Sequence, residues 1–349
     1  MKISDLDFHL VEVGRADSDR PVRSLVVRLA TDTGAEGWGE SSLGWRLGEL
    51  VARRQSLLPV LAGRGIFDVQ ELLALDVLSS GPLRSAIEMA VWDLVGKAVG
   101  QPVANLWGGA YRPRIPLAVR LAGARADRLA HMARTLAGQG FHTQVVTACG
   151  RLEEDLRTIA AVREAAGPRV TLRLDGAEQY DAETARDLCA ALEFDAPEFV
   201  LDPLQARELF PLASLGRQTS VPLAAWRAIH SASDVLLAVR CGAIALVVVD
   251  LEQVGGMVPA RKCAAVAEAG GLRALVGSGP SLGIATAAML QVAAATPAFA
   301  CCNECAFLQL RDHVLAEPLE VADGMMAVPR GAGLGIEVDR AKLERYQVT

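Results

Sequence analysis

Cys302 and Cys305 stand in the stretch CCNEC with the C-x-x-C spacing of a metal-binding or redox pair. A structural zinc needs four such ligands, and the sequence has no second C-x-x-C and no H-x-x-x-H. Small core cysteines are therefore the expectation. A different signal comes from VPLAAWRAIHS (221–231), where an apolar run ends abruptly in Trp226 and Arg227. A flat indole at the end of a buried strand either shapes a pocket or fills one. In LRLDG, Arg173 precedes Asp175 by two residues, so in a strand both project from one face. The guanidinium then either neutralises the acid or meets a charged substrate. GSGPS (277–281) runs toward a helical stretch, and its N–H groups, with Ser278 among them, could bind a substrate carboxylate. The same residues also make plain turns. His230, just past the Trp226 run, and His142, early in another, read as structural histidines.

The elements that must position these residues follow from periodicity. Residues 1–114 read as an α+β unit, with strand-like ISDLDFHLVEV, SLVVRLAT and AEGWGE, and TDTG as a hairpin signal. Helices follow, the clearest being SAIEMAVWDLVGKAVG. Ser85 and Glu88 have capping-box spacing at its start. Ile87, Ala90, Val91, Leu94 and Ala98 form an apolar stripe, Asp93 and Lys97 pair on the wet side, and Gly100 and Pro102 stop the helix. From Ile115 the rhythm changes. IPLAVRL, FHTQVVTA, VTLRL, EFVL, VPLAA, IALVVV, LRALV and AFACCNE alternate with helical patterns such as EEDLRTIAAVREAA, AETARDLCAALE and PARKCAAVAEAG. Eight strands with intervening helices over 115–318 are the count for an α/β fold of the (β/α)8, TIM-type barrel. The Gly/Pro-rich segment 319–349 does not extend the pattern and is expected to return to the first unit, completing an α+β cap.

Bulk properties exclude several classes. The chain has 349 residues, 51% of them apolar, which suits a large barrel with a smaller partner unit. No run approaches the roughly 20 apolar residues of a membrane span. The start, MKISDLDFHLVEVG, alternates like a strand and lacks the layout of a signal peptide. A net charge of −6 without basic clusters argues against nucleic acid. The seven scattered cysteines read as reduced thiols of a cytoplasmic protein. A small-molecule substrate and a homo-oligomer are the expected partners, with neither nucleic acid nor membrane.

The segment SAIEMAVWDLVGKAVGQPVANLWGG (85–109) resembles the first signature of the mandelate racemase / muconate lactonizing enzyme group of the enolase superfamily. GWGE (37–40), EEDLRTIAAVREAAG, QVGG (253–256) and the terminal GAGLGIEVD fit the same pattern, so the resemblance spans essentially the whole chain. It implies chemistry at the barrel-strand ends: a Lys-x-Lys pair on the second strand and three magnesium-binding carboxylates on the third to fifth. A Lys or Asp belongs to the sixth, a His in some members to the seventh, and a Glu often to the eighth. There the metal holds a substrate carboxylate and stabilises the enolate left by proton removal.

Carried over strand by strand, the resemblance puts Val145 and Thr147 in the lysine positions, and Asp175, Leu201 and Trp226 in the metal positions. Asp250, Gly277 and Glu304 take the remaining three. Leu and Trp offer magnesium no oxygen. Asp202 adjoins Leu201 but is expected on the opposite face unless a bulge turns it inward. No metal and no cofactor are therefore expected. Asp250, Asp175 and Glu304 are expected to converge in one mouth and raise one another's pKa, giving a general acid beside a general base. Trp226, Thr147, Leu201, Arg173, Arg227 and Ser278 are the expected substrate contacts, while Arg120 and Arg227 also suit plain neutralisation of acids. Two readings follow: a metal-independent isomerase or lyase with Asp250 as acid/base, or a non-catalytic barrel that binds a small ligand or a partner.

Overall fold

Alternating apolar residues build the first unit. In the computed structural model, which describes all residues except 17, 43–45, 79–80, 124, 278 and 349, β1 (Ile3–Val13), β2 (Val22–Thr31) and β3 (Glu36–Ser41) form an antiparallel sheet. Helices α1 (Leu47–Leu61), α2 (Val69–Leu73), α3 (Gly81–Val99) and α4 (Val103–Leu106) follow. The stripe of α3, including Ile87, Ala90, Val91 and Leu94, is buried with Leu6, Leu25, Val27 and Leu29 of the sheet.

The helix α3 differs from its sequence reading in two ways. It begins at Gly81, so Ser85 lies inside it and caps nothing. The Glu88 side chain instead accepts hydrogen bonds from the backbone of Met257 and, at 3.0 Å, Val258. Asp93 is not on a wet side. It is buried, and it accepts from Trp38 N at 3.0 Å, Leu334 N at 2.8 Å and Lys97 Nζ at 2.7 Å. The cause is tertiary: α3 is covered by the sheet on one side and by the barrel and tail on the other.

The helix also lies directly on the backbone of β3. A Cβ at Gly37 would overlap the Ala90 carbonyl, and one at Gly39 the Ala86 carbonyl. Neither carbonyl can withdraw without bending α3. Gly39→Ala is therefore expected to lower the unfolding free energy by about 1–3 kcal/mol, read as a shift of the urea midpoint at unchanged slope.

The second unit is the barrel. Its eight parallel strands are β4 (Arg114–Arg120), β5 (Thr143–Thr147), β6 (Thr171–Asp175), β7 (Val200–Leu201), β8 (Leu223–Ala225), β9 (Leu246–Asp250), β10 (Arg273–Gly277) and β11 (Asn303–Glu304). Helices α5 (Ala126–Gly138), α6 (Leu152–Ala166), α7 (Ala182–Leu192), α8 (Leu209–Gly216), α9 (Ala232–Cys241), α10 (Leu251–Val254), α11 (Met257–Ala269) and α12 (Ile284–Ala295) alternate with them. The ring closes where β11 pairs with Leu117 and Ala118 of β4. Between β10 and β11 the described contact is a side-chain bond, Val276 N to Asn303 Oδ1 at 3.1 Å. AFACCNE is thus a strand only in its last two residues.

The interior is filled by Phe199, Leu201, Ala224, Leu246, Val248 and Leu275. After the barrel, β12 (Val321–Ala322) and β13 (Met325–Ala327) form a hairpin whose second strand pairs antiparallel with Arg114–Pro116 of β4. The tail then touches the first unit, bridging Gly333 to Pro102 and Gln347 to Val11, and ends near α13 (Arg340–Arg345). All seven cysteines are free thiols, with Cys189, Cys263 and Cys305 buried.

Candidate active site

Strand parity and register decide which side chains meet at the C-terminal end of the barrel. Parallel pairing aligns Thr147 with Asp175 and Asp175 with Leu201 in one row, and Asp250 with Gly277 in another. Asp250 shares the inward parity of Leu246 and Val248, which line the interior.

Arg120, at the end of β4, is the hub of the row. One Nη donates to Thr147 Oγ1 at 2.6 Å and to Asp175 Oδ2 at 2.8 Å, and the other to Glu304 Oε2 at 2.9 Å. Asp175 and Glu304 therefore converge as expected from their strands, but on a cation rather than on each other. The second cation is Arg227. Its Nη1 lies 3.3 Å from Asp175 Oδ1 and 3.1 Å from Asp202 Oδ2, and its guanidinium stacks over the Trp226 ring at 4.7 Å.

Asp202 corrects the opposite-face expectation. It lies just past the end of β7 with φ at 39°, so strand alternation no longer governs it. The left-handed turn brings its carboxylate to the backbone N–H groups of Trp226 at 3.1 Å and Arg227 at 2.9 Å. Burial is the main influence pushing the Asp202 carboxyl above its ordinary value, opposed by those bonds.

Arg173 is a second correction. It faces inward but lies one layer deeper than Asp175, with Nε on Glu198 at 2.7 Å and Nη1 on the Cys302 carbonyl at 3.0 Å. It is 1% exposed and cannot meet a ligand at the mouth. Leu201 is equally sealed, also at 1% exposure, within the interior cluster. Trp226 is half-buried and, with Arg120, Glu304, Ala118, Pro280 and Gln309, lines a cleft of about 90 Å³. Its Nε1 and Glu304 Oε1 are buried with no hydrogen-bond partner among the described residues. Thr147 is exposed at the same rim. His230 and His142 are exposed, and the His230 backbone is tied to Asp234.

The third acid stands apart. Asp250 Oδ1 accepts from the backbone of Glu252 at 2.9 Å and Gln253 at 3.2 Å, capping α10, while Oδ2 takes no hydrogen bond among the described residues. Its charged neighbour is Glu252, not Asp175 or Glu304, which corrects the three-acid cluster. Glu252 is held by Ser41 Oγ and by the backbone and hydroxyl of Ser42, so it ties the cap to the mouth. Burial pushes both carboxyls up. Glu252, further raised by the charge of Asp250, reaches about 8. A pair like this shares a proton near neutrality. Across the row, a Cβ at Gly277 would fit in ordinary van der Waals contact, 3.7 Å from Val248 Cγ1 and 3.9 Å from the Glu304 carbonyl oxygen, so a methyl-sized gap lies beside Asp250.

The anion site expected at GSGPS is filled from within. Ser278 lies outside the described residues, and the N–H groups at the start of α12, on Leu282, Ile284 and Ala285, all donate to Glu40 of the cap.

Two family models match: the mandelate racemase / muconate lactonizing enzyme N-terminal domain over residues 17–108, and the enolase C-terminal domain-like model over 127–342. The chain belongs to the mandelate racemase / muconate lactonizing enzyme group of the enolase superfamily. It is 30% identical to the D-galactarolactone cycloisomerase of Agrobacterium fabrum over 100% of this chain and 99% of that protein. It is 30% identical to the D-galactonate dehydratase of Pectobacterium atrosepticum, over 71% of this chain and 70% of that one. The solved muconate lactonizing enzyme from Klebsiella pneumoniae superposes with a TM-score of 0.90 at 26% identity, covering all of both chains.

The magnesium ion that this enolase-superfamily resemblance implies does not fit the mouth. Asp175 and Asp202 already spend their oxygens on two guanidinium groups and on backbone N–H groups, including Ala177 N at 2.9 Å from Asp175 Oδ1. Leu201 and Trp226 supply no oxygen where the resemblance asks for two carboxylates. Among the described residues no three His, Cys, Asp or Glu side chains are arranged to hold a metal.

Sequence reasoning missed two residues as site components. Arg120 was legible only as a charge near a strand end. Glu252 had one cue, a second acid two residues after Asp250 in an otherwise apolar stretch, but its partners Ser41 and Ser42 lie 211 and 210 residues away.

Proposed function

We propose that this chain is an isomerase or lyase that moves a proton on a small organic substrate without a divalent ion, with Asp250 as the proton carrier. The observation that carries the reading is Asp250 itself: inward-facing, 8% exposed, raised by burial, paired in register with Gly277, and with Oδ2 taking no hydrogen bond among the described residues. The relatives named as a cycloisomerase and a dehydratase support this kind of reaction.

In this mechanism Asp250 Oδ2 exchanges a proton with the substrate, and Glu252 holds the proton that the pair shares at rest. Arg120, already at the cleft wall, supplies positive charge to a developing oxyanion. Trp226 excludes water and offers a flat apolar face.

The second reading, a non-catalytic binding barrel, is favoured by the cleft's size. About 90 Å³ is well below the ~300 Å³ at which ligand pockets begin, and Trp226 occupies the mouth.

Hydroxy acids, muconates, lactones and apolar cyclic compounds, incubated in D₂O with EDTA and followed by NMR, separate the two. Deuterium incorporation or turnover that persists with the chelator is the expected result. Ligand binding without exchange on any compound would establish the non-catalytic reading. Turnover that stops on adding EDTA and returns with magnesium would remove the metal-independent part.

A further inference from the structure

Arg227 is, with Arg120, one of two guanidinium groups that meet Asp175 at the barrel mouth. It follows Trp226 at the end of β8, and three carboxylates from two other loops surround it. Nη1 bridges Asp175 and Asp202 at 3.3 and 3.1 Å, and Nε lies 3.9 Å from Glu178 Oε2. Asp175 is 3% exposed and Asp202 8%, so water does little to screen their repulsion. Asp202 reaches this point only through its left-handed backbone. Its carboxylate in turn fixes the Arg227 backbone N–H. The guanidinium's other face rests on the Trp226 indole, a partly buried cation–π contact.

We propose that Arg227 is a resident cation of this barrel mouth, a positioning residue whose fixed guanidinium takes the place of a divalent ion in holding Asp175 and Asp202 together. A divalent ion leaves when chelated and presents open coordination positions to a substrate. A guanidinium carried by the backbone just past β8 does neither. The mouth is therefore permanently assembled, and a ligand is recognised by hydrogen bonds and the Trp226 face rather than by chelation. The inference rests on the salt-bridge geometry and is independent of whether the mouth turns over a substrate.

The test is thermal unfolding of the full chain, with calorimetric titration of magnesium chloride. The wild type is expected to show no heat of binding, and no midpoint shift with magnesium or EDTA at constant ionic strength. Arg227→Gln keeps a planar group on Trp226 and drops the charge. It is expected to melt roughly 5 °C lower, and millimolar guanidinium or magnesium should recover part of that loss. Arg227→Lys should melt above Arg227→Gln. In the background Asp175→Asn/Asp202→Asn, where only the Glu178 contact at 3.9 Å remains, Arg227→Gln should cost much less. If the Arg227→Gln protein does not fold, recovery of its circular dichroism by either cation supports the proposal, and no recovery with both overturns it. A wild type that binds magnesium and loses that binding in Asp175→Asn overturns it too. So does an Arg227→Lys protein no more stable than Arg227→Gln, which would reduce Arg227 to packing.

Discussion

Asp250→Asn is expected to lower turnover by ~10²–10⁴, the loss typical of removing a general acid or base, while the protein stays folded. The fold should survive because Asp250 caps α10 through Oδ1, with bonds from Glu252 N and Gln253 N. An asparagine carbonyl caps a helix about as well as a carboxylate. What asparagine cannot do is exchange a proton at the position of Oδ2. The substitution should also change Glu252, whose carboxyl is raised to about 8 by burial first and by the Asp250 charge second. Without that charge its pKa falls, so residual activity should follow a pH profile displaced to the acid side. Both readings come from one set of steady-state rates across pH, with circular dichroism as the control for folding. Full activity in Asp250→Asn would remove Asp250 from the chemistry. Turnover unchanged but with the acid-side displacement would move the proton transfer to Glu252.

Much of this mouth was legible from periodicity because a barrel repeats. A strand and a helix recur at regular spacing, so the family pattern, once matched at Asp175, put Leu201 and Trp226 in the next two ligand positions. The structure places both on the inner face. Depth was not legible. Arg173 and Asp175 share a face, but two residues along a strand are roughly 6.6 Å apart, enough to put one on Glu198 in the barrel floor and the other on Arg120 at the rim. Nor was the turn at Asp202. Alternation is a rule for residues inside a strand, and β7 ends at Leu201, so the next side chain was free to swing inward. The capping box at Ser85 failed for a related reason. Spacing describes a chain in isolation, whereas Glu88 found better donors at Met257 and Val258, 169 and 170 residues away.

Those donors make Glu88 the site of the largest expected stability change in the scaffold. Its carboxylate is fully buried and satisfies two N–H groups at the first turn of α11, so it locks the cap helix α3 to the barrel wall. Glu88→Ala leaves both donors buried and unpaired and opens a void, and the combined loss is expected to be about 3–5 kcal/mol. Glu88→Gln keeps the volume and one acceptor, so the loss should fall to about 1–3 kcal/mol. The two variants also separate the charge from the contact. Burial raises the Glu88 carboxyl to about 7, above its unfolded value near 4.3. The folded state therefore holds more protons than the unfolded one between those values. The stability from that excess is fully present below the unfolded pKa and is lost as pH rises through about 7. Glu252, raised to about 8, contributes with the same sign over a slightly higher range. The urea-derived unfolding free energy of the wild type should accordingly decline from about pH 5 to about pH 8, and in Glu88→Gln the decline should be shallower, most visibly below pH 7. An unchanged slope in Glu88→Gln would mean that the Glu88 carboxyl is ionised throughout, held by the α11 dipole and its two N–H bonds against the cost of burial.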